Sequence, residues 1–365
     1  MGIAPDRGLT IFVDELTGFA AGTGDRRIQA IAQRTAEPLG VLVHGRRGAG
    51  CSTVTRALHR AVAASGCAVT ARPADADIHV YVVAEVLKPE DRTALAARHP
   101  EPAAQQPTLV ILNKADLAGF GGAGPLAAAH TRCSDFSALV GLPVQPMIGV
   151  LAVTALTDLD EPSWCALRTL AAHPDGVACL DGSFEGFLAA TLPVPAPIRL
   201  RLLEGLDLFG IALTIAALRQ GGTRSQALAL LRRVSGVDAV VANIVAAGAG
   251  VRYRRILDAV AALEALAVTD QRIAEFLRCD ETVIARMTAA LDAARAFGLP
   301  AEPGPARDPA QHLRRAVRWR RHSEQSSAPA GDALRACSAD IARGSLRLWA
   351  RAGGLPEAAE SGVFP

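Results

Sequence analysis

Four short runs, apolar along nearly their whole length, govern what this chain can fold into: Leu39–Val43, Ile78–Val83, Thr108–Leu112 and Met147–Val153. None alternates apolar with polar residues as a half-exposed strand would, and helical stretches at 52–64, 89–98 and 125–139 separate them. Strands buried on both faces and joined through helices make a parallel, doubly wound sheet. The expected fold class is therefore α/β, with a mostly parallel sheet in a domain at 37–175 and an all-α domain behind it. Before the sheet, 10–36 reads as one helix within an N-terminal helical segment, 1–36, and Ile28, Ile31 and Ala32 share its apolar face. After it, 196–300 is a helical domain with segments at 197–219, 224–234, 237–248, 252–266, 270–278 and 281–297. Residues 301–310 read as a Pro/Gly-rich linker, and 311–365 as a basic helical tail.

With 365 residues, 50% hydrophobic and 20% charged, the chain is long enough for two or three packed domains, and wholesale disorder is excluded. Aromatics are only 4%, so aliphatic side chains must build the core. A net charge of +2 gives no reason to expect an acidic partner for the whole chain. Of 38 basic residues only Lys88 and Lys114 are lysines, an arginine bias expected of a GC-rich bacterial genome. Seven scattered cysteines without a C-x-x-C pair suit a reduced setting. The start, MGIAPDRGLTIFVDEL, carries acids where an export signal has a basic head, and no run of about 18 apolar residues follows. The expected location is cytoplasmic, with peripheral attachment to a membrane as the other option. No histidine spacing suggests a catalytic metal.

The first apolar run leads into Gly45-Arg46-Arg47-Gly48-Ala49-Gly50-Cys51-Ser52-Thr53 and then into helix. Glycines let consecutive backbone N–H groups curl toward phosphate oxygens, and the helix N-terminus behind them adds its dipole. In the pattern G-x-x-x-x-G-K-[ST], Cys51 stands where lysine reaches the β and γ phosphates, while Ser52 keeps the hydroxyl expected on Mg²⁺. Sixty residues on, the third run ends in Asn113-Lys114-Ala115-Asp116. A carboxylate there can accept two hydrogens from guanine, which adenine does not offer, and the lysine stem can lie along the base. Asn113 is suited to hydrogen-bond the neighbouring loop. The fourth run is read as a strand ending in Thr154-Ala155-Leu156, where a backbone N–H would meet the guanine O6.

These residues resemble the P-loop GTPases of the translation-factor-related class, and ADIHVYVVAEVLKPEDR is similar to the Era and dynamin-like branches. The likeness spans residues 20–160. It implies a P-loop GTPase-like domain in which Gly45, Gly50 and Ser52 hold phosphate and magnesium, and Asn113, Lys114, Asp116 and Ala155 hold guanine. Two elements of the family are missing. Lysine is absent at Cys51, and the 24 residues between Thr53 and Ile78 contain neither a switch threonine nor D-x-x-G. Arg46 or Arg47 is a candidate to replace some of the lost positive charge, and a solvated loop residue is the equal alternative for either. The expected function is guanine-nucleotide binding, GTP or GDP with Mg²⁺, with weak or no intrinsic hydrolysis. The helical half would then be the surface for a protein partner, with another GTPase as one candidate. The alternative is a pseudo-GTPase interaction module that binds no nucleotide.

Three other features carry less. Residues 271–287 have the spacing of a helix-turn-helix, but Arg278 stands where the turn needs Gly, so an ordinary helical hairpin is expected. The stretch 311–321 carries Arg314, Arg315, Arg318, Arg320 and Arg321 around Trp319. It is a possible nucleic-acid or anionic-lipid surface, although a solvated or protein-paired face is favoured. Cys51, at a helix N-terminus, is a candidate reactive thiol, with a small loop-filling residue the favoured reading.

Overall fold

The computed structural model describes residues 7–97, 106–119, 124–176, 183–301, 308–325 and 331–354. The chain divides into two compact units, one formed by Gly40–His99 and Pro107–Ile244, the other by Met1–Leu39, Pro100–Gln106 and Val245–Pro365. This division differs from the sequence reading. The N-terminal helices belong with the C-terminal ones, and helices as far as residue 244 belong with the sheet.

In the first unit, strands β1 (Leu39–Gly45), β2 (Cys67–Thr70), β3 (Ile78–Ala84), β4 (Thr108–Asn113) and β5 (Val144–Met147) form one sheet in the order β2-β1-β3-β4-β5. The β1–β3, β3–β4 and β4–β5 pairs are parallel. Helices α3 (Cys51–Ala61), α4 (Pro89–Ala96), α5 (Pro125–Val140) and α6 (Gly149–Thr157) connect or follow these strands. α4 and α5 cover one face, where Leu95 and Cys133 pack on Tyr81, Val83, Val110 and Leu112. α3 packs with α6 instead. The connections after β1 and β3 lead in opposite directions along the sheet. Such an order places a crevice at the C-terminal ends of those strands.

Strands β1, β3 and β4 lie where the apolar runs predict them. The fourth run does not. Its first residue ends β5, whose sequence is Val144-Gln145-Pro146-Met147, and 149–157 is α6. A run of apolar residues signals burial but cannot separate a central strand from a buried helix. Pro146 is tolerated because β5 is an edge strand with a single neighbour. Helices α7 (Glu161–Ala172), α8 (Phe184–Ala189), α9 (Ala196–Arg219) and α10 (Arg224–Ser235) complete this unit and share a core with α6 through Leu151, Leu167, Phe187, Leu206 and Leu231.

The second unit is helical in its described residues. The expected single N-terminal helix is two, α1 (Arg7–Thr23) and α2 (Arg26–Ala36), because Gly24 takes φ 67° and Asp25 caps α2 by accepting the Arg27 N–H. Helix α11 (Val237–Ala267) runs unbroken where two segments were expected, and its residues from Val245 belong to this unit. With α12 (Gln271–Arg278), α13 (Asp280–Ala296), α14 (Pro309–Gln325) and α15 (Gly331–Trp349), these helices bury Phe12, Leu16, Ile28, Tyr253, Ile273, Trp319, Cys337 and Ile341 together. The basic tail is thus part of a core. Of the expected linker, 302–307 lies outside the described residues.

Candidate functional site

The loop after β1 rises on residues that only glycine fits well. Gly48 and Gly50 both take φ 86°, and a Cβ on Gly50 would collide with the Asn113 amide. Gly50 caps α3, so Cys51, Ser52 and Thr53 form its first turn, whose N–H groups have no intrahelical partner. Ser52 is exposed there, Ala49 is buried, and the Ala49 N–H turns back to the Arg46 carbonyl at 3.2 Å.

Asn113, at the end of β4, draws three segments together. Its amide nitrogen donates to the Ala49 carbonyl at 2.9 Å, and its amide oxygen accepts the Gly149 N–H at 2.9 Å. The expected bond from Asn113 to the neighbouring loop is present, and one to the start of α6 accompanies it. Lys114 follows in the left-handed region, φ 57°, with its side chain exposed. Asp116, in the next turn, is only 5% exposed. Burial pushes its carboxyl up to about 6, with Asp207 adding repulsion and Lys114 opposing it.

Thr154 and Ala155 do not lie in a loop. Both are inside α6, where backbone N–H groups bond one turn back, and the Thr154 hydroxyl donates to the Gly205 carbonyl at 2.5 Å. The turn after β5 is Ile148-Gly149. The N–H groups left free by the helix pattern there are those of Val150 and Leu151, once Gly149 has bonded Asn113. The Gly149 that opens α6 was the signal for this turn.

The arginines of the loop differ. Arg46 points its Nε at both oxygens of Asp91, each at 2.9 Å, and Asp91 has no exposed surface. The Tyr81 hydroxyl and the Lys88 N–H donate to the same carboxylate, each at 2.9 Å. Arg46 is therefore a structural cation and does not replace the missing lysine. Arg47 is exposed and has no hydrogen bond or ion pair among the described residues. Cys51 is not an activated thiol: burial raises it, and its sulfur sits 4.0 Å from the Arg46 carbonyl. Arg132 of α5 gives a further, unanticipated support. It donates to the Glu85 carbonyl at 2.9 Å and the Ala118 carbonyl at 2.8 Å, clamping the loops after β3 and β4 together.

Among the described residues no group of three or more His, Cys, Asp or Glu side chains is arranged to hold a metal ion. Ser52 supplies one oxygen, so the chain fits Mg²⁺ only where phosphate oxygens complete the shell.

In the other unit, the 271–287 hairpin directs Asp280 and Glu281 at Arg351, at 2.7 and 2.6 Å. Within 311–321, Arg315 is buried and donates to Ser345 at 2.9 Å, while Arg314 pairs with Asp308 at 3.4 Å and Arg320 with Glu324 at 3.5 Å. The run is thus not one uniform basic face. Among the described residues no single helix is long and apolar enough to cross a membrane.

A parallel α/β sheet with flanking helices, followed by a largely helical region, defines the class of fold, and it is compatible with a P-loop-like arrangement. In comparisons with known proteins, the chain matches no family model, no curated protein and no solved structure.

Proposed function

We propose that the sheet-containing unit binds a guanine nucleotide at the C-terminal edge of β1 and β4, with weak or no hydrolysis. The observation that carries this reading is Asn113, which joins the Ala49 carbonyl of the glycine loop to the Gly149 N–H beside the Lys114–Asp116 segment. Phosphates would meet the N–H groups of Gly48 and Gly50 to Thr53, together with the α3 dipole. Mg²⁺ would sit on Ser52 and phosphate oxygens and offset phosphate charge. The base would lie along the Lys114 stem with its polar edge toward ionised Asp116 and the Val150 and Leu151 N–H groups. Affinity is weak because Cys51 brings no ammonium and Arg46 is committed to Asp91. The helices would serve as the surface for a protein partner such as another GTPase.

A second reading, an interaction module that binds no nucleotide, is favoured by the low exposure of Asp116. Titration with fluorescent GDP, GTP and ATP, with and without Mg²⁺, separates the two. Guanine preference over adenine supports nucleotide binding. Equal binding of GTP and ATP removes the base-reading role, and no binding leaves the interaction module.

A further inference from the structure

Strand β5 is four residues long, contains Pro146 and has β4 as its one neighbour in the sheet. The corner between α10 and α11 supports its end. The N–H of Ile148, a buried residue just past the strand, donates to the Ser235 carbonyl at 2.9 Å. Gly236 follows in the left-handed region, φ 75°, and a Cβ there would stand 2.6 Å from the Pro146 carbonyl oxygen. Backbone conformation and space both exclude a side chain at that position. Ser235 is fully buried, its hydroxyl donating to the Arg232 carbonyl at 2.7 Å and accepting the Val237 N–H at 3.3 Å. The next N–H of the turn, that of Gly149, is held by Asn113 at 2.9 Å. Two successive N–H groups at the start of α6 are thus tied down, one by the candidate site and one by the α10–α11 corner.

We propose that Ser235-Gly236 is a positioning element for recognition of the guanine O6: it fixes the turn that presents the Val150 and Leu151 N–H groups, and Gly236 sets how closely corner and turn approach. The inference deepens the guanine-nucleotide reading above and rests on it. Four successive N–H groups divide the work. Those of Ile148 and Gly149 are tied to protein, and those of Val150 and Leu151 are left for the base. Hydrogen bonds weaken steeply as a donor leaves the line to its acceptor, so a turn pushed aside by a side chain at 236 loses O6 first. Asp116 is carried by the turn after β4, and its reading of the N1 and N2 hydrogens does not depend on the corner.

Two base analogues separate the contacts. 6-Thio-GDP replaces O6 by a poorer acceptor and keeps both hydrogens read by Asp116, whereas IDP keeps O6 and lacks the N2 amine. The full chain is titrated at neutral pH with GDP, 6-thio-GDP and IDP, and exchange of amides 144–151 is followed without nucleotide. The wild type is expected to prefer GDP to 6-thio-GDP by about 2- to 10-fold, the range of one hydrogen bond. Gly236→Ala should speed exchange and bring that ratio to about one, while the preference for GDP over IDP is kept. Ser235→Ala loosens the corner without a clash, should act in the same direction, and decides the matter if G236A does not fold. A wild type that binds GDP and 6-thio-GDP equally overturns the positioning role and leaves the nucleotide reading standing. So does a folded variant that exchanges faster with its 6-thio ratio intact, or one in which both ratios fall together. A wild type that binds none of the three removes the nucleotide reading, and the positioning role with it.

Discussion

Arg46 and Asp91, 45 residues apart, form an ion pair in which one guanidinium nitrogen lies 2.9 Å from both carboxylate oxygens, and Asp91 is wholly buried. The pair ties the glycine loop to the start of α4. Breaking a buried pair strands a charge, so Arg46→Ala is expected to destabilise the fold by about 3 kcal/mol in urea unfolding. Tyr81 and Lys88 keep the loss from being larger, since both still donate to Asp91. Arg47→Ala should leave stability unchanged and weaken GDP binding, more so at low salt. Equal stability of the two variants would refute this division of labour.

Asn113→Ala orphans the Ala49 carbonyl and the Gly149 N–H. Two buried polar groups left without partners cost about 2–4 kcal/mol together. Asn113→Asp keeps the acceptor for Gly149 but gives up the amide donor to Ala49, so it should lose GDP binding while unfolding differently from the alanine variant. A mild stability change in N113A, under about 1 kcal/mol, would mean that the three segments hold their places without it.

Asp116 gives a pH signature. Its folded value, about 6, lies above its ordinary 3.8, so between those values the folded state binds more protons than the unfolded one. Its contribution to stability therefore falls as pH rises through that window and is level above it. Asp116→Asn removes the decline and should gain on the wild type by ~2–3 kcal/mol between about pH 4 and pH 7. Parallel stability curves would contradict the burial argument. The same variant should move base preference toward xanthine, whose extra carbonyl can receive the new amide donor.

The strands that lie between two others were legible because double burial leaves a run such as Ile78–Val83 almost wholly apolar, with His79 its one buried polar side chain besides the Tyr81 hydroxyl. Met147–Val153 was not, since the start of α6 is apolar on its partly buried positions as well as its buried ones and only Gly149 marks its start. The phosphate-loop and Asn113–Asp116 spacings survive in sequence because they are local. Arg46–Asp91 and Thr154–Gly205 do not, because their partners lie 45 and 51 residues away. The tail illustrates the same limit. Its arginines dominate the sequence, while Trp319, Cys337 and Ile341, which bury it, are spread too thinly to announce a core.

Cys51→Lys should restore the ammonium that bridges phosphates. A charge-assisted hydrogen bond contributes about 1.5–3 kcal/mol, so GDP or GTP affinity should rise roughly 10- to 150-fold. In the wild type, burial holds the thiol protonated, and Cys51 should react slowly with iodoacetamide compared with exposed Cys165. Unchanged nucleotide affinity in a folded C51K protein would show that the loop no longer serves phosphate.

Turnover is the remaining test. Between the end of α3 at Ala61 and the start of β3 at Ile78, the described chain forms only β2 and the short turn Pro73–Asp75. GTP hydrolysis needs a group that senses the γ-phosphate and holds the attacking water, and D-x-x-G does not occur in that interval. Arg46, one of the two loop cations the sequence offers to stabilise developing charge, is held by Asp91. Intrinsic turnover is therefore expected at or below that of an unassisted small GTPase, on the order of 10⁻⁴ s⁻¹. A partner GTPase could donate both groups, so phosphate release is measured alone and with any GTPase that co-purifies. Fast hydrolysis by the isolated chain, abolished by Ser52→Ala, would reveal a complete site. Fast hydrolysis only with the partner would assign the missing groups to that partner.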